Sequence, residues 1–327
     1  PLGHRADGPC PGKGSPGRFF AGQLSAASDG AIHCPGAACR LEIFRFIVRR
    51  REAATSREAG LIEHGKLSAV MSSGYENGHV IGIVGGMGPD AGIYLAQQIT
   101  ELTRKGVDDY DLDVILASCP RGIADRTEFV LGHTKENPAH AINAVIDRLA
   151  GAGASLVGMA CNTAHARPIL DVIERHVDQK RPKLRLVSMI ESVKADLVDI
   201  GPAGRVAVLG TLGTHEADIY GEALRGSNWS ARYLDTSAKR ERLHRLIYAP
   251  SWGLKATGTA MSDKAASELR WSLTEAARLA DVVLLACTEL SMTGGSQSFD
   301  LVPVIDASRS LARHLVRIGR AADPHAT

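Results

Sequence analysis

Two stretches with the same plan decide the fold: Val80-Ile-Gly-Ile-Val-Gly-Gly-Met-Gly88 and Arg205-Val-Ala-Val-Leu-Gly-Thr-Leu-Gly213. Each is a short apolar run that ends in a glycine turn. The turn glycines are offset by 125 residues (85 to 210 and 88 to 213), and two Ala-Cys pairs, ending at Cys161 and Cys287, are offset by 126. Several landmarks that recur in the same order predict two similar halves.

Short apolar runs alternate with amphipathic stretches from Val80 onward. The runs are Val80–Val84, Leu112–Ala117, Ser155–Ala160, Leu184–Met189, Arg205–Leu209, Asp281–Ala286 and Leu301–Ile305. The amphipathic stretches include Ala91–Thr103, Pro138–Ala150, Ala166–Val177 and Lys264–Leu279. Continuous apolar strands between helices are typical of a parallel sheet that is covered on both faces. We therefore expect an α/β protein with two similar parallel-sheet domains related by a pseudo-two-fold axis, and an active site in the cleft between them.

The domain boundaries follow from the same pattern. Residues 1–78 are rich in Gly, Pro, Ala and Arg and lack a sustained hydrophobic period, and the first methionine is Met71. We interpret them as a non-core extension, disordered or artefactual, with Met71 as the natural start; the alternative is a transit peptide, which Glu52, Glu58 and Glu63 disfavour. Residues 79–190 are expected to form the first domain and 191–303 the second, with 304–320 packing back on the first.

Composition narrows the class of function. The 327 residues are 44% hydrophobic and 23% charged with a formal net charge of +2, which does not favour binding to nucleic acid. The apolar runs are too short to span a membrane. Six cysteines without a CxxC pair argue against a zinc ribbon and favour a reducing, cytoplasmic compartment. The sequence thus predicts a soluble protein with a small-molecule substrate.

We expect no cofactor and no metal. The spacing of Gly82, Gly85 and Gly88 is not the GxGxxG of a dinucleotide-binding turn, and the strand Leu112–Ala117 ends in Ser118-Cys119 without an acidic ribose ligand. No motif for a Schiff-base lysine of pyridoxal phosphate stands out either. The glycine turn is instead expected to bring the backbone of Gly86 and Met87 close to a substrate.

The two cysteines carry the chemistry. Each ends an apolar run and precedes a polar turn, Cys161-Asn-Thr in one half and Cys287-Thr-Glu in the other. The carboxyl ends of parallel strands are where α/β sheets bind ligands, and N–H groups at a helix start stabilise a thiolate or a carboxylate. Pseudo-two-fold symmetry would place the two thiols on opposing walls of one pocket. The alternative is a pair of buried structural cysteines.

Two opposed acid–base groups suit one reaction in particular. A thiolate on one side removes a proton from carbon while a thiol on the other side returns one to the opposite face. Such a site must also stabilise the developing carbanion with donors aimed at the α-carboxylate and must exclude water. Inversion of an α-carbon is the expected result.

Four motifs resemble the aspartate/glutamate racemase family: Gly85-Gly-Met-Gly-Pro89, Pro120-Arg-Gly-Ile-Ala-Asp-Arg-Thr127, Ala160-Cys-Asn-Thr-Ala-His165 and Ala286-Cys-Thr-Glu-Leu-Ser291. The resemblance runs from about Val80 to Gly319. It implies a pyridoxal-independent racemase of acidic amino acids, built from two α/β domains and often dimeric. A homodimer acting on aspartate, glutamate or both is therefore expected.

The resemblance also implies residue roles. Cys161 and Cys287 match the catalytic pair, and Arg126 matches a basic residue that reaches the distal carboxylate of the substrate. Lys255 resembles a second such residue. The residues matched to the α-carboxylate and amino group are Asn162, Thr163 and Thr288. The residues themselves add two supporting candidates. His165, four residues after Cys161, either tunes the thiol or hydrogen-bonds in the core, and we favour the second. Glu289, two residues after Cys287, is a candidate to orient that cysteine, with no such role as the alternative. Cys119 departs from the family, in which that position is more often polar.

Other functions stay open. A maleate-type isomerase and a broad-specificity amino-acid racemase would use the same superfamily fold. Decarboxylases of this kind need only one cysteine, so the retained pair disfavours them. A non-catalytic amino-acid-binding protein is a further alternative, which the presence of both thiols disfavours.

Overall fold

The computed structural model describes residues 79–258, 260–293, 298–299 and 301–321, which belong to one compact unit. The predictions for residues 1–78, including Met71 as the start, lie outside the described residues. Within the described ranges, no helix combines the length and apolar composition needed to cross a bilayer.

The first half contains six strands and five helices. In chain order they are β1 (Val80–Gly85), α1 (Pro89–Thr103), β2 (Arg104–Gly106), β3 (Asp109–Tyr110), β4 (Asp113–Ser118), α2 (Arg126–Val130), α3 (Ala139–Gly151), β5 (Leu156–Met159), α4 (Arg167–Lys180), β6 (Arg185–Val187) and α5 (Met189–Ile200). Short 3₁₀ turns cover Pro120–Gly122 and Thr163–His165.

The second half follows the same alternation. Its elements are β7 (Gly204–Gly210), α6 (Leu212–Glu216), α7 (Ile219–Leu224), β8 (Trp229–Arg232), α8 (Ser237–Tyr248), α9 (Leu254–Thr257), α10 (Asp263–Leu279), β9 (Val282–Ala286), α11 (Thr288–Ser291), β10 (Ser298–Phe299), β11 (Val302–Asp306) and α12 (Ala307–Ala321).

The two main sheets share one topology. The first has the order β4-β1-β5-β6 and the second β10-β11-β9-β7-β8. If the four parallel strands of each half are numbered by their place in the chain, both sheets read 2-1-3-4. Only the short β10 is antiparallel to its neighbour in these two sheets. The predicted α/β fold with two similar parallel sheets is confirmed.

The main hydrophobic core extends across both halves of the fold. One cluster combines residues of the first sheet with Met189 and Val193 of α5, with Leu311 and Leu315 of α12, and with apolar residues of the second sheet. A Cβ on Gly158 of β5 would lie 2.9 Å from the side chain of Leu315, so α12 packs directly on the first sheet. The strand that precedes α12 nevertheless pairs with the second sheet. The domain limits drawn from the sequence therefore stay predictions.

Each of the two equivalent glycine turns contacts the opposite half of the fold. A Cβ on Gly213 would lie 2.9 Å from the backbone of Thr127 and 3.0 Å from the side chain of Thr163, so this turn packs against the first half. A Cβ on Gly88, its counterpart, would meet Glu289 at 3.3 Å. Both turns thus bring the halves into close contact, and the side chains that follow the strand ends meet there.

Candidate active site

One cavity lies where the carboxyl ends of the two sheets face each other. It encloses about 280 Å³ between atoms. Its lining consists of Met87, Arg126, Thr127, Cys161, Asn162, Thr163, Thr211, Tyr248, Lys255, Ala286, Cys287, Thr288 and Glu289. Cys161 follows β5 and Cys287 follows β9, and each of these is the third parallel strand of its sheet. The structure thus brings both predicted cysteines to one cavity from equivalent positions.

Both cysteines are buried in the wall of this cavity. Cys161 is 8% exposed and Cys287 is 6% exposed. Charges in such a place interact more strongly than in water, because little solvent screens them.

Arg126 forms the wall beside Cys161. It is the first residue of α2, whose start is capped by the Asp125 carboxylate, with acceptor distances of 2.7 and 3.1 Å to the Thr127 and Glu128 N–H groups. Its guanidinium donates to the Met87 carbonyl at 2.7 Å, while its buried Nε has no hydrogen-bond partner among the described residues. Arg126, a residue of the cavity lining, therefore keeps one buried donor without a partner among the described residues.

Arg126 stays positively charged in its buried position. Burial alone would lower its pKa, but the Cys161 sulfur in its ionised form and the Asp125 carboxylate outweigh that effect and raise the pKa. Arg126 thus places a lasting positive charge beside Cys161.

Asn162 offers a second free donor. Its Oδ1 accepts a 2.5 Å hydrogen bond from the hydroxyl of Tyr220, which is fully buried in the second half. This bond fixes the orientation of the amide, and the buried Nδ2 has no partner among the described residues. An amide N–H₂ held in this way suits a carboxylate oxygen.

A cluster of threonine hydroxyls joins the two halves behind the cysteines. Thr163 lies 3.2 Å from Thr211 and 3.1 Å from Thr214, and Thr127 donates to Thr211 at 3.1 Å. Thr163 thus shares its hydroxyl with the cluster, and any substrate contact would compete with these bonds. Thr288 is similarly engaged, because its hydroxyl donates to the Ala160 carbonyl at 3.4 Å.

The wall beside Cys287 carries an ion pair. The Cys287 thiol donates to Glu289 Oε2 at 3.0 Å, and Lys255 Nζ donates to Glu289 Oε1 at 2.5 Å. Burial and the Glu289 carboxylate raise the pKa of Cys287 well above its ordinary value, and Lys255 offsets only part of this shift. Burial acts to raise the pKa of Glu289, yet Lys255 and the thiol hold it below its ordinary value. Cys287 is therefore a protonated thiol in this arrangement.

His165 hydrogen-bonds in the core and does not line the cavity. Its Nδ1 lies 2.9 Å from the Cys161 carbonyl, and its Nε2 accepts from the Met189 N–H at 3.3 Å. These bonds require a neutral ring with its proton on Nδ1. Burial is the main cause that lowers the pKa of His165 to about 4.

This buried histidine predicts an acid-sensitive fold. Unfolded histidine has a pKa near 6.5, so below that pH only the unfolded chain binds the proton and the free energy of unfolding falls, by about 1.4 kcal/mol per pH unit down to pH 4. Replacing His165 by Gln should flatten the dependence between pH 6.5 and 4 by one proton in urea titrations. His133→Gln, at an exposed histidine, is the matched control. An unchanged slope in the His165 variant would contradict this role.

Two residues that the sequence analysis singled out lie elsewhere. Gly86 does not line the cavity: it has φ +93°, and a Cβ there would lie 2.8 Å from the backbone of Cys119 and Pro120. Its role is to let the turn approach the loop after β4. The Cys119 side chain also lies outside the cavity lining and accepts from Arg148 Nη1 at 3.3 Å.

Sequence reasoning missed three contributors from the second half. Tyr220 orients Asn162 through the hydrogen bond of its hydroxyl. Tyr248 donates to the Asp125 carboxylate at 3.0 Å and lines the cavity, as does Thr211. The repeat could have indicated Thr211, because it occupies the turn equivalent to Gly86; nothing in the local pattern distinguishes Tyr248.

Comparison with known proteins identifies the family of this chain. The family model described as Asp/Glu/Hydantoin racemase matches residues 84–315. The chain belongs to this family. An aspartate racemase of Picrophilus torridus is 28% identical, with a TM-score of 0.61 over 74% of this chain and 94% of that one. The family's class of reaction, amino-acid racemisation by an isomerase, is thereby the activity of this chain.

Two further solved structures share the fold. An aspartate racemase homologue from Pyrococcus horikoshii is 24% identical with a TM-score of 0.56, covering 73% of this chain and 98% of that one. A putative Asp/Glu racemase from Yersinia pestis is 20% identical with a TM-score of 0.58, covering 74% and 99%. Nearly the full length of each of these proteins is therefore matched by residues of this chain.

Proposed function

We propose that the protein racemises aspartate, glutamate or both by a two-base mechanism in which Cys161 and Cys287 act on opposite faces of the α-carbon. The observation that carries the proposal is that both thiols line one cavity from equivalent positions of two sheets with the same strand order. One thiolate removes the α-proton and the opposite thiol supplies its replacement. The reverse reaction exchanges the roles.

The lining supports an acidic substrate. Arg126 Nε and Asn162 Nδ2 are buried donors without partners among the described residues, and leaving such donors unpaired costs about 1–3 kcal/mol each. Two carboxylates of an amino acid would satisfy both. We assign Asn162, with Thr163 and Thr288 near it, to the α-carboxylate and amino group, and Arg126 to the distal carboxylate.

Lys255 adds positive charge on the other wall. Its ammonium has three donors, so it can keep its bond to Glu289 and still reach a substrate carboxylate. We propose Lys255 as the second, weaker contact for that group. Closure of the cavity walls around a bound amino acid would exclude water from the reacting carbon.

A chiral product assay tests the proposal. Purified protein should convert L-aspartate or L-glutamate to the D-enantiomer without added cofactor, and should exchange the α-hydrogen of that amino acid in heavy water. Maleate, alanine and serine serve as competing substrates in the same assay. Conversion of maleate to fumarate without racemisation, or binding of aspartate without α-hydrogen exchange, would contradict the proposal. The homodimer and the cytoplasmic location stay predictions.

A further inference from the structure

The two cysteines have unlike neighbours although their positions are equivalent. Two residues after Cys287 stands Glu289, whereas two residues after Cys161 stands Thr163. Glu289 accepts from the Cys287 thiol at 3.0 Å, while the Thr163 hydroxyl bonds with other threonines. The symmetry of the fold is therefore broken at the reacting atoms.

Lys255 keeps Glu289 in place as an acceptor. Its Nζ lies 2.5 Å from one carboxylate oxygen while the thiol bonds to the other. Glu289 is 8% exposed and Cys287 is 6% exposed, so water competes little for these bonds. An ionised carboxylate can only accept a hydrogen bond, which makes the sulfur the donor.

Removing the proton from Cys287 would place two anions side by side. The thiolate would lose its bond to Glu289 and face the carboxylate at the same short distance, and like charges in a buried site disfavour ionisation. Cys161 has a different neighbour, because the Arg126 guanidinium, and not a carboxylate, lies beside it.

We propose that Glu289, held by Lys255, keeps the proton on Cys287 in the free enzyme, so that Cys161 is the base of the resting enzyme. This inference rests on the proposed two-base function for its catalytic meaning. Glu289 is a positioning residue here, because it acts through Cys287.

The proton balance defines a reset step. In the resting enzyme the Cys161 thiolate takes the α-proton as the Cα–H bond breaks, and the S–H bond of Cys287 breaks as its proton adds to the other face of the carbon. The enzyme then holds a Cys161 thiol and a Cys287 thiolate beside Glu289. One proton leaves Cys161 for solvent and another returns to Cys287, which restores the resting form.

Thiol labelling tests the assignment without turnover. Iodoacetamide reacts with thiolates, and peptide mass spectrometry reads Cys161, Cys287 and the partly exposed Cys119 in one sample. At pH 7 Cys161 should be labelled faster than Cys287. In Glu289→Gln, the rate at Cys287 should rise about tenfold or more, since each unit of pKa changes the thiolate fraction tenfold, whereas the rate at Cys161 should stay the same.

Matched controls separate charge from general disturbance. Glu275→Gln removes a carboxylate that pairs with Lys239 at 2.6 Å outside the cavity, and it should leave all three labelling rates unchanged. If Glu289→Gln does not fold, the wild-type protein provides the test. Its labelling rate at Cys287 should rise about tenfold per pH unit between pH 7 and 9.

Three results would overturn the inference: faster or equal labelling of Cys287 in the wild-type protein, an unchanged ratio in a folded Glu289 variant, or a flat pH dependence at Cys287. All three are labelling results, so they can be told apart from a failure of the proposed function, which appears in the racemisation assay. A protein that labels as expected but leaves acidic amino acids unchanged contradicts the proposed function alone.

Discussion

Replacing either Cys161 or Cys287 by alanine is expected to lower kcat for racemisation of aspartate or glutamate about 10³-fold or more. A positioned acid or base contributes about 10²–10⁴-fold to the reaction rate. Among the described residues, the cavity lining contains no third cysteine, so no other thiol can replace the one that is removed. The loss is measured by following optical rotation or D-enantiomer formation over time.

Hydrogen exchange shows which face each thiol serves. With one base left, a variant should still exchange the α-hydrogen of the single enantiomer that presents its proton to that base, and the two variants should prefer opposite enantiomers. Cys119→Ala is the matched control, since Cys119 lies outside the cavity, and it should retain full activity. Retained racemisation in both catalytic variants would exclude the two-base mechanism.

Replacing Arg126 by Met is expected to lower kcat/KM for the acidic substrate about 100-fold or more. Truncating one partner of a buried, charge-assisted contact costs about 2–5 kcal/mol. Arg126 is 7% exposed, and its Nε has no hydrogen-bond partner in the part of the chain that the structure describes. Arg126→Lys keeps the charge but not the planar array of donors, so its loss should be intermediate. Steady-state kinetics and the inhibition constant of succinate, a dicarboxylate without an amino group, provide the measurements.

Two controls test whether the loss in Arg126→Met is specific to the distal carboxylate of the substrate. Arg121→Met changes an exposed arginine nearby in the sequence and should leave kcat/KM unchanged. Exchange of the α-hydrogen of alanine in heavy water, where it is measurable, should suffer less than exchange with aspartate. Equal losses for alanine and aspartate, or unchanged inhibition by succinate, would show that Arg126 only supports the Met87 carbonyl and the start of α2.

The fold could be read from the sequence because its determinants are local. Apolar runs such as Val80–Val84 and Val282–Ala286 are strands covered on both faces, and the recurring glycine turns indicated that one arrangement occurs twice. The positions of Cys161 and Cys287 followed, since a residue after a parallel strand lies at the carboxyl edge of the sheet. The terminal helix was harder, because its strand pairs with one sheet while Leu311 and Leu315 pack on the other.

The candidate site divides in the same way. By itself the sequence determined that two thiols follow equivalent strands, and it predicted Arg126 and Lys255 as basic residues for an acidic substrate. Only the tertiary structure decided that Tyr220 orients Asn162, that Tyr248 bonds to Asp125, and that Lys255 pairs with Glu289. These contacts share one physical reason. They join residues that are far apart in the chain, so their formation depends on how the two sheets pack. Side-chain type and periodicity do not specify that packing.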